Sequence, residues 1–153
     1  WLQQQDALTP IDILIANAGC STTQLKEQYN SLHDIESALW AIHLQGTLNT
    51  IHPILSCMQQ RQSGHIVLMS SINAFVATAS STSYGAAKAA LLHYGRSLRG
   101  KLLKDRIAVS VICPGWVDSR LTNKNTTPMP FKMSAQRAAT IIQQGIKKKK
   151  VHI

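Results

Sequence analysis

The chain has 153 residues, 44% hydrophobic and 15% charged, with 16 Lys and Arg against 7 Asp and Glu and a formal net charge of +9. That balance suits one domain or part of one and excludes a disordered or fibrous chain, while the longest apolar runs fall well short of a membrane span. Cys20, Cys57 and Cys113 are odd in number and form no C-x-x-C pair, so reduced thiols in a cytoplasmic compartment are expected and a disulfide framework is not.

The run IDILIA, residues 11–16, follows Thr9 and Pro10 and is nearly continuous in apolar side chains, which predicts a strand covered on both faces. A polar loop is expected next. From Asp34 onward Ile35, Leu39 and Ile42, then Leu48, Ile51, Leu55 and Met58, recur at steps of three and four, the period of a long helix. Pro53 lies inside it and predicts a kink or break there. HIVLMS from His65 reads as a second buried strand. The segment SSTSYGAAKAALLHYG then reads as a helix with Ala87, Leu91, Tyr94, Leu98 and Leu102 along one stripe. IAVSVIC, residues 107–113, is a third strand stopped by Pro114 and Gly115. A last helix starts at Ser134 with Gly145 as its expected C-cap, and residues 151–153 begin a fourth strand.

Alternation of buried strands with helices implies an α/β architecture around a parallel sheet. Ligands of such sheets sit outside the carboxyl ends of the strands. Asn17, Ala18 and Gly19 follow the first strand, Ser70 and Ser71 the second, and Pro114 and Gly115 the third. Tyr84 and Lys88, one turn apart, project from one face of the helix that opens at the same edge. A phenol is too weak an acid to ionise at neutral pH. An ammonium about 4–6 Å away would lower its pKa by about 1–3 units, fitting it for proton transfer at a carbonyl or an alcohol. Ser71 could donate to the same substrate oxygen. Both serines also read as simple strand caps.

Together these motifs resemble the short-chain dehydrogenase/reductase family, over nearly the whole chain, starting from the fourth strand of that fold. Asn17, Ala18 and Gly19 match its N-A-G, Tyr84 to Lys88 its Y-x-x-x-K, and Ser71 stands thirteen residues before the tyrosine. Pro114, Gly115, Trp116, Val117, Asp118 and Ser119 match its P-G loop. The resemblance implies a Rossmann-like, doubly wound parallel sheet forming one partial domain over residues 1–153. It also implies an NAD(P)-dependent oxidoreductase, with NAD or NADP as cofactor, interconverting a carbonyl and an alcohol on a small or medium substrate. Tyr84 would be the acid/base, Ser71 the donor to the substrate oxygen, and Lys88 the activator of the tyrosine and a ligand of the nicotinamide ribose. Asn17, Ala18 and Gly19 would shape the adenosine side of the pocket, where backbone close to a ligand demands a small residue. Pro114, Gly115, Trp116 and Val117 would run along the nicotinamide, and Ser119 would meet its carboxamide.

His43 stands where the family often has the asparagine of its proton relay, so it is either a relay member or a packed histidine. The other five histidines lack metal-ligand spacing, and no metal is expected. The family's glycine-rich turn would precede Trp1, so the chain is expected to be a fragment lacking the N-terminal βαβ units, with the strand at residues 11–16 as an open edge. A short lid at residues 119–133 suits an open site, compatible with steroid, sugar, acyl-carrier or xenobiotic carbonyls. A homodimer or homotetramer is implied for the intact protein. The lysine run at residues 147–150 reads as a solvated turn rather than a nucleic-acid patch, and neither nucleic acid nor membrane is expected as a partner. A catalytically silent dinucleotide-binding protein on the same scaffold is the alternative function.

Overall fold

In the computed structural model, which describes residues 1–120, 122, 123 and 128–153, the three predicted strands form a parallel sheet in the order β1 (Ile13–Ala16), β2 (Gly64–Met69), β3 (Ile107–Ile112). Leu14 pairs with Ile66, and Val67 with Ser110. Residues 151–153 extend the sheet beyond β3: the Val111 amide donates to Val151 O at 2.9 Å and the Cys113 amide to Ile153 O at 2.8 Å. The expected fourth strand thus begins there, as a single parallel bridge from Val111 to His152.

Helix α4 (Gly46–Gln60) and helix α5 (Thr82–Lys101) bury their apolar stripes on one face of the sheet. Ile51, Ile54 and Met58 of α4 and Leu92 and Leu98 of α5 join Leu14, Ile66, Leu68, Val109 and Val111 in one core. Gly95 lets α5 approach closely, since a Cβ there would lie 2.4 Å from Val111 Cγ2. The expectation of cover on both faces holds for the middle of β2 and fails for β1. Leu14 and Ala16 are buried, but Ile13 and Ile15 are each 48% exposed, because β1 lies at the end of the sheet with only its inner face against α4.

The long helix also breaks elsewhere than predicted. Helix α3 (Leu32–Trp40) begins directly after its N-cap Ser31, whose Oγ accepts the Asp34 amide at 3.1 Å, and ends in a π-helical turn, Ala41–Gln45. The Gly46 amide there reaches back five residues to Ala41 O. Pro53 sits inside α4 without ending it. The extra residue of the π turn carries His43 into the interior, and such bulges accumulate at functional sites.

Two helices escaped the sequence reading. Helix α1 (Leu2–Leu8) is held by Asp6, whose carboxylate accepts from the Ile11 amide at 2.8 Å and from Arg61 Nη1 at 2.8 and 2.9 Å. Helix α2 (Thr22–Lys26) lies in the expected polar loop and opens with a capping box between Ser21 and Gln24, a pattern visible in the sequence. The last helix, expected from Ser134, is α6 (Ala135–Lys147), with Ser134 as its N-cap, but Gly145 is not its C-cap. Lys149 takes the left-handed conformation at φ 48°, with its amide on Ile146 O and the Lys150 amide on Gly145 O, the paired bonds of a Schellman ending. Gly145 is small because Ile153 lies against it, 2.6 Å from where a Cβ would stand. Lysines 147–150 are exposed in that turn, as expected.

Candidate active site

Pairing of β2 with β3 continues past the strand ends. The Ser70 amide donates to Ile112 O at 2.8 Å and the Ile72 amide to Pro114 O at 2.9 Å, so Ser71 and Pro114 come to lie side by side. The two serines then divide. Ser70 turns into the fold and its Oγ donates to Lys88 O at 2.8 Å, tying α5 to the sheet. Ser71 caps the short turn after it, accepting the Asn73 amide at 3.2 Å, and its hydroxyl lies near enough to the Tyr84 phenol to lower its pKa. Asn73 Nδ2 reaches Ser81 Oγ at 2.9 Å, which fastens this loop to the entry of α5.

Lys88 lies one turn beyond Tyr84 and is only 3% exposed. Its Nζ donates to Met69 O at 2.7 Å and stands 5.5 Å from the centre of the Tyr84 ring. Its stem and helix face are packed among apolar groups, and burial lowers its pKa from 10.5 to about 8, opposed by the Cys20 and Cys113 thiols. Burial likewise raises the Tyr84 phenol above its usual range; the nearby Ser71 hydroxyl works against this, and Cys20 adds to it. The expected depression of the phenol by the ammonium is therefore not what this pocket shows. Desolvation penalises both charges, and Nζ faces the ring and Met69 O.

His43 meets the phenol ring edge to face, at 5.4 Å and 85°. Its Nε2 is 2.9 Å from Cys20 O, and its own carbonyl accepts Thr47 Oγ1 at 2.7 Å. Cys20 and Tyr84 both pack on a second small core of Leu25, Ile35, Leu39 and Ala87. Ser71, Tyr84, Lys88 and His43 are thus brought together from a strand end, a helix and a π turn. Cys20 and Thr47 join them, and neither was singled out for this site in the sequence. Thr47 was legible as a hydroxyl one helical turn after His43; Cys20 only as the residue after Gly19.

The cofactor candidates line the same edge. Asn17, Ala18 and Gly19 are exposed after β1. What stands beside Gly19, however, is His43, with Cε1 2.8 Å from the position of a Cβ. Gly115 is open on its Cβ side. Trp116 and Asp118 bracket Met133 in a short parallel bridge, the Met133 amide donating to Trp116 O and the Asp118 amide to Met133 O, both at 2.9 Å. The Ser119 hydroxyl is 3.2 Å from Thr122 Oγ1, which donates to Val117 O at 2.5 Å. Of the expected lid, Leu121 and residues 124–127 lie outside the described residues. Among the described residues there is no cluster of three or more potential metal ligands, and no helix is long and apolar enough to cross a membrane.

These donors suit the polar half of a dinucleotide: exposed backbone at residues 17–19, an open flank at Gly115, and an ammonium with donors beyond its bond to Met69 O. The sequence profile described as short chain dehydrogenase matches residues 2–130. An uncharacterized oxidoreductase of Myxococcus xanthus is 34% identical over 141 residues, covering 89% of this chain and 53% of that protein. A crystal structure of an oxidoreductase of the short chain dehydrogenase/reductase family from Burkholderia thailandensis superposes with a TM-score of 0.67 at 28% identity, covering 80% of this chain and 47% of that one. A short chain dehydrogenase from Burkholderia cenocepacia in complex with NADP matches in fold, with a TM-score of 0.82 at 24% identity over 99% of this chain and 62% of that one. The chain spans about half the length of the curated relatives it matches.

Proposed function

Since the chain belongs to the short chain dehydrogenase family, we propose that the protein is an NAD(P)-dependent oxidoreductase that interconverts a carbonyl and an alcohol on a small or medium organic substrate. The observation that carries this reading is the convergence of a phenol, a hydroxyl and a buried ammonium, Tyr84, Ser71 and Lys88, at the carboxyl edge of the sheet. A nicotinamide dinucleotide supplies or accepts the hydride when bound. Lys88, through the donors left over from Met69 O, holds the nicotinamide ribose. The exposed backbone at Asn17, Ala18 and Gly19 flanks the adenosine side, Pro114, Gly115, Trp116 and Val117 the nicotinamide, and the Ser119 hydroxyl its carboxamide.

In the reducing direction Tyr84 gives its proton to the substrate oxygen as the carbonyl carbon gains hydride. The raised pKa of the phenol keeps that proton in place at neutral pH. Ser71, whose hydroxyl lies near the phenol, donates to the same oxygen as negative charge develops on it. The protein works as a homodimer or homotetramer.

Tyr84→Phe tests the reading. In the protein assayed for dinucleotide oxidation against a panel of ketones and aldehydes, it should lower kcat about 100-fold or more while leaving dinucleotide affinity near that of the parent. Retained turnover would refute the role given to Tyr84, and a parent that binds dinucleotide and turns over no carbonyl compound would support the silent dinucleotide-binding alternative.

A further inference from the structure

The structure assigns to His43 a different part from proton relay: we infer that it is a positioning residue, a neutral imidazole protonated on Nε2 that clamps the turn carrying Gly19 and Cys20 and braces the Tyr84 ring. His43 is 1% exposed, and the elements around it account for both nitrogens. Nε2 lies 2.9 Å from Cys20 O, an atom that can only accept, so the proton sits on Nε2. The Cys20 amide, at 3.4 Å from the same nitrogen, is the longer contact and is incompatible with that tautomer. Nδ1 is then a buried lone pair with no hydrogen-bond partner among the described residues.

A relay must take a proton at one nitrogen and release one at the other. Here Nε2 ends on a backbone carbonyl, which can neither supply nor remove a proton at neutral pH. Protonating Nδ1 would bury an imidazolium beside the Lys88 ammonium. Burial and that ammonium push the His43 pKa down to about 4, against the raising effect of the Cys20 bond. The other titratable neighbours, the Tyr84 phenol and the Cys20 thiol, are both raised by burial and stay neutral too.

The same geometry gives Gly19 a reason of its own. A Cβ at residue 19 would lie 2.8 Å from His43 Cε1 and 3.4 Å from Nδ1. The turn after β1 is therefore seated directly on the imidazole, and the imidazole on Tyr84. The catalytic meaning of this brace rests on the proposed role of Tyr84, but the brace can be tested without turnover.

Nitrogen-15 NMR of the histidine side chains in the parent protein reads the tautomer directly. The expected result is an Nε2-protonated, uncharged His43 from about pH 5 to 9; an Nδ1-protonated ring, or titration near the ordinary value of about 6.5, would overturn the assignment. Gly19→Ala should lower Tm and dinucleotide affinity in the parent background, and His43→Ala should relieve both losses; simple additivity of the two changes would count against the contact. In turnover, His43→Leu should lower kcat/KM about 100-fold through misplacement of Tyr84, and His43→Gln, whose amide still donates to Cys20 O, should recover most of that loss. A glutamine variant as impaired as the leucine variant would restore the relay reading. Failure of the NMR test leaves the oxidoreductase reading intact, whereas failure of the Tyr84→Phe test leaves the tautomer standing.

Discussion

Replacing Lys88 with methionine should change how stability depends on pH, by an amount that follows from the burial of its ammonium. The group is 3% exposed and its pKa falls from 10.5 to about 8, chiefly through desolvation. In the unfolded chain it titrates near its ordinary value. A folded pKa below the unfolded one means that the fold disfavours the charged form. The penalty is complete below about pH 8 and disappears as the pH rises toward about 10.5. A difference of about 2.5 units, at about 1.4 kcal/mol each, amounts to about 3 kcal/mol. Methionine keeps the apolar stem but forfeits the donor that meets Met69 O at 2.7 Å, a charged bond worth about 1.5–3 kcal/mol. At pH 7 the two effects offset, and the variant should lie within about 2 kcal/mol of the parent. Between about pH 8 and 10.5 the parent should gain about 3 kcal/mol on the variant. The Lys88 charge lowers the Cys20 and Cys113 thiols against the rise caused by their burial, so the difference between the two proteins reads the lysine together with its coupling to these thiols. Urea unfolding followed by tryptophan fluorescence, at half-unit steps of pH, measures it. Parallel pH curves for the two proteins would refute the desolvation argument.

Two further predictions concern the scaffold. Gly145→Leu would drive a side chain into Ile153, so the terminal segment should leave the sheet, at a cost of about 1–3 kcal/mol. Hydrogen exchange would show it as lost protection of the Cys113 and Ile153 amides, and unchanged protection would contradict the contact. Asp6→Asn removes a carboxylate that binds both Arg61 and the Ile11 amide. It should release α1 and lower stability by about 1.5–3 kcal/mol, seen as proteolysis within residues 1–10; equal resistance to protease would contradict it.

Local pattern alone determined much of this protein. The apolar runs at residues 65–70 and 107–113 marked strands, because strands inside a sheet need apolar side chains facing both ways. The step of four from Tyr84 to Lys88 put them on one helix face, since 3.6 residues per turn leaves no other choice. Polar residues at the strand ends marked the edge where the site lies. The capping box of Ser21 and Gln24 stood in the sequence too, yet the segment reads as a polar loop and α2 emerged only in the structure.

What tertiary structure decided has a common cause: steric contact and desolvation depend on atoms distant in sequence. The helix break fell at His43 and not at Pro53, because a π turn carries the imidazole inward toward Tyr84 and Cys20. Gly145 proved to be a seat for Ile153, and Lys149 took the left-handed ending expected of a glycine. Ile13 and Ile15 are open because only the face of β1 that carries Leu14 and Ala16 packs on the core, which its own apolar run does not encode. The sign of the phenol's shift, raised where spacing to an ammonium predicted lowered, emerged only with the burial of Tyr84 and Lys88 in one pocket.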